Sequence, residues 1–201
     1  MRSSCRGSTL SAMAGWKPEM HFWANLVGYQ LVWFAIVISA SRGQPIVGIG
    51  AALFFIALQL HYSATRSSDL RALAATFVCG LLLDGALAVT GWLQYASPLL
   101  ALPAPIWILS LWLAFAMTLN HSMVFLRGKP LLAAGLGGIG GPLAYLGAAR
   151  GFDAVVFTTP AWHAIALLSV GWAVALGALA VLTQGWANQL TTRKMQTEHM
   201  Q

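Results

Sequence analysis

Charged side chains are scarce in this chain, and their scarcity excludes a soluble globular protein. Of the 201 residues only 8% are charged, while 58% are hydrophobic. Soluble domains carry about 25% charged residues. So few charges cannot cover a surface that faces water, and most of the chain must therefore face lipid or the interior of the protein.

Cysteine is nearly absent as well, which excludes a disulfide framework and a C-x-x-C metal site. Cys5 stands in a polar N-terminal stretch and Cys79 in an apolar run. No Walker, H-E-x-x-H or G-x-S-x-G motif occurs, so no cofactor and no metal are predicted. The first 19 residues lack the apolar core of a signal peptide. A start at Met1, Met13 or Met20 stays open.

Long apolar runs dominate the rest of the chain and predict membrane-spanning helices. A helix needs about 20 apolar residues to cross the hydrocarbon core, and the runs show no strand-like alternation. We predict an all-α membrane protein, a compact bundle of six transmembrane helices over residues 22–186. Residues 1–21 form a polar cytoplasmic segment and residues 187–201 a short cytoplasmic tail. The predicted spans are Asn25–Ala40, Ile46–Ala64, Ala72–Leu93, Ile106–Leu126, Leu131–Ala149 and Trp162–Gln184.

The basic residues predict the orientation of the bundle. The net charge of +6 is spread over the segments between apolar runs, which argues against nucleic-acid binding. The two termini and the second and fourth loops hold nine Lys and Arg residues, whereas the other three loops hold two. Because basic loops stay in the cytoplasm, both ends are predicted to lie inside.

Asp84 is the most conspicuous polar residue of the apolar runs. It stands twelve residues into the third run, about 18 Å along a helix and thus near the middle of the bilayer. An acid there costs roughly 2.5–3.5 kcal/mol on insertion scales. Asp84 is therefore a candidate proton or cation site, or an acid hydrogen-bonded between helices. Asp69, by contrast, is interpreted as a solvated loop residue or the N-cap of the third helix.

A second polar set falls in the predicted cytoplasmic half of the helices. If these side chains face inward, they form a polar ligand pocket that is open to the cytoplasm; each alone is also explained by an interhelical hydrogen bond. A metal site formed by the two histidines with Asp84 has no support from their spacing. The set consists of Asn25, Gln30, Gln59, His61, Asn120 and His121.

Glycines crowd the fifth run. The stretch from Gly135 to Gly140 formally matches G-x-G-x-x-G, but no strand precedes it, so a nucleotide-binding loop is rejected. Gly137-x-x-x-Gly141 instead predicts close helix packing. The pair Gly141-Pro142 predicts a kink or a break in this helix, either lining a cavity or as a simple bend.

Four segments together resemble a known family, the bacterial inner-membrane proteins catalogued as domain of unknown function 2878. The resemblance covers roughly residues 22–185. It implies a Gram-negative inner membrane and no established activity, and its gene associations point only indirectly to lipid modification. The segments are Asn25–Phe34, Asp69–Asp84, Pro105–Trp107 with Leu111–Ala116, and Gly140–Tyr145.

Three functional hypotheses follow from these observations. The first is small-solute transport or a membrane ligand-binding subunit that uses Asp84. The second is a membrane enzyme or accessory protein of lipid modification, with His61 and His121 as acid–base groups. The third is a non-catalytic scaffold. The expected partners are the lipid bilayer and a small-molecule or lipid ligand, and a homo-oligomer or a membrane-complex partner stays open.

Overall fold

Six helices run through most of the chain in the computed structural model, which describes residues 18–99, 102–158 and 160–199. Five of the six are long and apolar enough to cross a membrane, and α4 is shorter. The chain is therefore a helical membrane protein, as its composition predicts. The helices are α1 Pro18–Ser41, α2 Pro45–Tyr62, α3 Arg66–Val89, α4 Ile106–Leu119, α5 Pro130–Phe152 and α6 Trp162–His199.

Proline and glycine mark two of the turns between these helices. Pro45 and Pro130 open α2 and α5, where the missing N–H of proline leaves no helical hydrogen bond unmade. Gly43 and Gly128 precede them with φ angles of +73° and +72°, a conformation that glycine adopts readily. The short turns make α1 and α2 antiparallel neighbours.

Helix α4 differs from its predicted range. The prediction of one helix over Ile106–Leu126 is wrong, because α4 ends at Leu119 and only a single 3-10 turn, Val124–Leu126, follows. Its 14 residues extend about 21 Å, less than the hydrocarbon core of about 30 Å. The helix is apolar on every side and most of its residues are buried, which is typical of a helix at the centre of a bundle.

Two short strands, which the sequence did not predict, join two helix ends. β1 (Leu93–Tyr95) pairs antiparallel with β2 (Val155–Phe157). The predicted third span ran on to Leu93, but α3 ends at Val89 and Gly91 turns the chain at φ +69°. This two-stranded sheet places the C-terminal ends of α3 and α5 at one end of the bundle, called the sheet end below.

Both termini differ from their predicted boundaries. α1 begins at Pro18, inside the polar segment predicted over residues 1–21. α6 continues to His199, so most of the segment predicted as a tail is helical. Residues 1–17, including Cys5, lie outside the described part of the chain. The main buried core lies between α4 and its neighbours, where Trp107, Trp112 and Met117 are almost fully covered.

Candidate functional site

A cavity of about 520 Å³ lies between α1, α4, α5 and α6. Its volume is within the range of roughly 300–1,000 Å³ that is typical of small-molecule sites. No Asp, Glu, Lys, Arg or His side chain lines it. Seven of the lining side chains are aromatic: Tyr29, Trp33, Trp107, Trp112, Phe115, Tyr145 and Trp172.

The cavity opens sideways between α1 and α5. Among its lining residues, the exposed ones all come from these two helices: Gln30 from α1, and Leu136, Gly140, Leu143 and Gly147 from α5. The two helices touch each other little. Near the sheet end they meet through Phe152, whose ring lies 6.1 Å from that of Trp33 and 6.0 Å from that of Phe34. In a bilayer such a lateral opening faces lipid rather than water.

Glycines of α5 shape one wall of the cavity by allowing α6 to approach closely. A Cβ at Gly137 would collide with the backbone carbonyl of Trp172, and one at Gly141 would collide with the Trp172 ring. The Gly137-x-x-x-Gly141 pattern therefore lies at the α5–α6 contact. The helix is not broken at Gly141-Pro142, because α5 continues from Pro130 to Phe152 with Pro142 inside it. The proline removes one backbone donor, and the rest of the helix hydrogen-bonds on both sides of it.

Stacked indoles form the floor of the cavity. The Trp172 ring lies parallel to that of Trp112, with centroids 4.1 Å apart and an interplanar angle of 12°. Phe115 meets both rings edge-on, at 5.3 Å from Trp172 and 6.4 Å from Trp112. Such arrangements suit the quadrupoles of aromatic rings, and all three rings belong to the cavity lining.

Asp84 lies behind this wall rather than in it. The side chain is fully buried and does not line the cavity. Its Oδ1 accepts hydrogen bonds from the hydroxyls of Tyr95 at 2.7 Å and Tyr145 at 2.5 Å. Its Oδ2 accepts one from the indole N–H of Trp112 at 2.7 Å. Two of its three partners, Trp112 and Tyr145, are cavity residues.

The position of Asp84 along its helix also differs from the prediction. Because α3 begins at Arg66 rather than at Ala72, Asp84 lies about 27 Å along the helix and five residues before its end at Val89. Its depth in a bilayer stays a prediction. Tyr95, in β1, reaches the acid from the sheet end. Burial, and next the adjacent Asp84 carboxylate, raise the pKa of the Tyr95 hydroxyl, so that it remains a donor.

Asn25 connects α1 to the other end of α4. Its amide donates to the backbone carbonyl of Met117 at 3.0 Å. Its Oδ1 accepts from the hydroxyl of Ser122 at 2.6 Å and from the Ser122 backbone N–H at 3.3 Å. The side chain is 2% exposed. These bonds satisfy backbone groups beyond the end of a short buried helix, so Asn25 braces the fold.

Asp69, which sequence reasoning set aside, forms the centre of a second buried polar cluster. It is fully buried and accepts hydrogen bonds from Ser63 and from Asn120, the latter at 2.8 Å. His121 Nε2 lies 3.5 Å from Asp69 Oδ2, an ion-pair distance. Arg127 donates to Asn120 Oδ1 at 2.9 Å. The interpretation of Asp69 as a cap is wrong, since the N-cap of α3 is Thr65.

The members of the predicted polar pocket lie in separate places. Only Gln30 lines the cavity. Asn120 and His121 belong to the Asp69 cluster, and Asn25 to the brace on α4. Gln59 is half-buried outside the cavity, and His61 is exposed, with its backbone carbonyl accepting from Arg66. Within the described ranges, no three Cys, His, Asp or Glu side chains are grouped closely enough to hold a metal ion.

Sequence reasoning missed the aromatic lining. Tyr29 and Trp33 stand four residues apart, and so do Ile108 and Trp112, a spacing that places each pair on one helix face. That pattern is also typical of ordinary core packing, so it did not predict a cavity. The convergence of four helices on these rings is information that only the tertiary structure holds.

Comparison with known proteins gives the family and nothing closer. No curated protein and no solved structure matches the chain. One family model matches residues 22–178, which is most of the chain and includes four helices in full, nearly all of α1 and most of the long apolar part of α6. The predicted resemblance is therefore confirmed, and the chain belongs to the family described as "Protein of unknown function (DUF2878)".

Proposed function

We propose that this protein binds a lipophilic molecule that enters its aromatic cavity sideways from the membrane. The observation that carries the proposal is the lateral opening between α1 and α5, into a cavity lined by aromatic rings and no charged side chain. A molecule dissolved in the bilayer reaches such an opening without crossing water. The proposal keeps the ligand-binding part of the first functional hypothesis and moves the site from Asp84 to the cavity.

The other hypotheses have less support from the geometry of the described residues. A lipid-modifying enzyme would need its acid–base groups at the ligand, but His61 and His121 both lie outside the cavity lining. Transport that uses Asp84 would need access to a carboxylate that is fully buried among three donors. A scaffold needs no ligand cavity. Binding of a lipophilic ligand uses the feature that these hypotheses leave unexplained.

Filling the cavity is expected to abolish ligand binding. A Cβ at Gly140 meets no atom within 4 Å, and this residue lines the opening, so Gly140→Phe would place its ring in the cavity without moving the backbone. Wild-type protein purified in mild detergent is expected to carry a co-purifying lipophilic molecule in native mass spectra. Gly140→Phe is expected to lose at least nine-tenths of it.

Gly135→Phe is the matched control for that variant. Gly135 belongs to the same helix and also has open space around its Cβ, but it does not line the cavity. The same change in side chain should therefore leave the bound molecule in place. Equal amounts of ligand on both variants would contradict the proposal, and so would wild-type protein without any bound lipophile.

We further propose six crossings with both ends in the cytoplasm, in a bacterial inner membrane. α4 runs from the sheet end, where the Trp107 indole N–H donates to the backbone carbonyl of Ala96, to the Asp69 cluster, where Asn120 donates to Asp69. The chain then returns along α5 to β2 at the sheet end. This alternation supports a crossing by α4 together with the turns after it, although the helix alone is short.

The orientation can be tested with reporter fusions. We expect alkaline phosphatase fused within the turn at Arg42, or after Arg150, to be active, because these positions lie at the sheet end, which is predicted to face outward. Alkaline phosphatase fused after Lys129 or at the C-terminus should be inactive. A green fluorescent reporter that folds only in the cytoplasm should be fluorescent at both of these positions. The reverse pattern would overturn the orientation, and phosphatase activity at both Arg42 and Lys129 would remove the crossing by α4.

A further inference from the structure

Three uncharged hydrogen-bonding side chains of α1 line the cavity without a hydrogen-bond partner. They are the Tyr29 hydroxyl, the Gln30 carboxamide and the Trp33 indole N–H. Within the described residues none of the three has a hydrogen-bond partner, although the Tyr29 and Trp33 rings pack against other aromatic rings. Their positions i, i+1 and i+4 place them along the α1 side of the opening. Trp172 of α6, which also lines the cavity, adds a buried indole N–H without a partner. These four side chains carry the free polar groups of an otherwise apolar lining.

Gln30 is the most unusual of the three because of its depth. It lies twelve residues after Pro18 and eleven before Ser41, at the middle of α1 rather than near its inner end as predicted. A carboxamide has two donors and an acceptor. With no water in the bilayer core, a polar group that lacks a partner is costly. A glutamine at the middle of a helix that is long enough to span the membrane, exposed at the mouth of a cavity, is therefore suited to bond to something that enters from lipid.

The absence of charge in the lining restricts what that molecule is. An ionised carboxylate or phosphate drawn into this cavity would find no Lys, Arg or His side chain among the lining residues, and its desolvation would be uncompensated. The Asp84 carboxylate is equally unsuited to bind a cation here, because Tyr95, Tyr145 and Trp112 occupy its oxygens. With no basic group to pair with an anion and no free carboxylate to pair with a cation, the lining suits a neutral polar group best.

We propose that Gln30 recognises a neutral oxygen, a ketone, ester or hydroxyl, on a ligand whose flat or unsaturated body packs against the aromatic wall. The Nε2 of Gln30 donates to that oxygen. The stacked rings of Trp112 and Trp172 provide the surface for the flat part, since aromatic groups prefer offset or edge contacts with one another. The inference rests on the proposed cavity binding and names the chemical class of its ligand.

Two brominated probes that differ in one oxygen test this inference. One is a 4-bromophenyl decyl ketone and the other a 4-bromophenyl alkane of the same chain length. Both partition into lipid nanodiscs that hold the full-length protein, and bromine quenches nearby tryptophans by contact. The quenching that is lost in Gly140→Phe measures cavity binding, because four tryptophans line the cavity while quenching at the lipid-facing tryptophans remains.

The ketone is expected to bind the wild-type cavity about three- to tenfold more tightly than the hydrocarbon, the effect of one net hydrogen bond. In Gln30→Leu this preference should disappear while hydrocarbon binding persists. Gln59→Leu is the matched control, because Gln59 lies outside the cavity, and it should keep the preference. A ketone preference that survives in Gln30→Leu, or that is absent from wild type, would overturn the inference alone. Quenching by both probes that Gly140→Phe does not reduce would overturn cavity binding itself.

Discussion

Asp84→Leu is expected to lower the free energy of unfolding by at least about 3 kcal/mol, because each of three buried donors left without an acceptor costs about 1–3 kcal/mol. The donors are the hydroxyls of Tyr95 and Tyr145 and the indole N–H of Trp112. Leucine branches at Cγ as aspartate does, and it removes all three acceptor bonds at once. The midpoint of thermal unfolding in detergent, followed by tryptophan fluorescence, should fall accordingly.

Asp84→Asn separates the hydrogen bonds from the acid. The amide oxygen can accept from Trp112, and the amide nitrogen can donate to the tyrosine hydroxyls, which rotate to accept. We therefore expect Asp84→Asn to lose less than half as much stability as Asp84→Leu and to retain cavity ligand. Equal losses in the two variants would show that the charge of Asp84, rather than its hydrogen bonds, stabilises the bundle.

Gly137→Ala is expected to be the most damaging single-methyl change in α5. The added Cβ would meet the backbone carbonyl of Trp172 and the Leu176 side chain, and a backbone atom cannot rotate away. Forcing α5 and α6 apart costs about 1–3 kcal/mol by analogy with other overpacked interiors. The thermal midpoint should fall, and the amount of bound ligand should fall with it, since both helices line the cavity.

Gly135→Ala provides the opposite result on the same helix. Its Cβ meets no atom within 4 Å, and alanine in a helix is more favourable than glycine by up to about 1 kcal/mol. Stability should therefore stay constant or rise. If Gly137→Ala and Gly135→Ala changed the midpoint alike, close packing of α5 on α6 would not explain the glycine pattern.

The sequence predicts the apolar helices well, because their length and lack of charge are required by the bilayer itself. Five of the six predicted runs correspond to long helices, with ends that differ by a few residues, or by more at the termini. The glycine pattern of α5 likewise predicted a close packing site. These features are local, and a single segment is enough to show them.

The site was less predictable because it depends on where helices converge. Asp84 carries a strong signal in one dimension, but its partners Tyr95 and Tyr145 are 11 and 61 residues away. Hydropathy gives no sign that Asn120 would reach back to Asp69. These two errors come from contacts between distant segments, which the periodicity of one segment does not record. The end of α4 at Leu119 had a local signal, the polar triplet Asn120-His121-Ser122, but the apolar residues Met123–Leu126 that follow it made the run look continuous.

Native mass spectra of the wild type, Gly135→Phe and Gly140→Phe, released from the same membranes under the same conditions, decide whether the space between α1 and α5 binds a lipophilic molecule, as we propose. We expect one bound lipophile per chain on the first two proteins and almost none on Gly140→Phe. The same adduct on all three, or on none of them, would contradict the proposal.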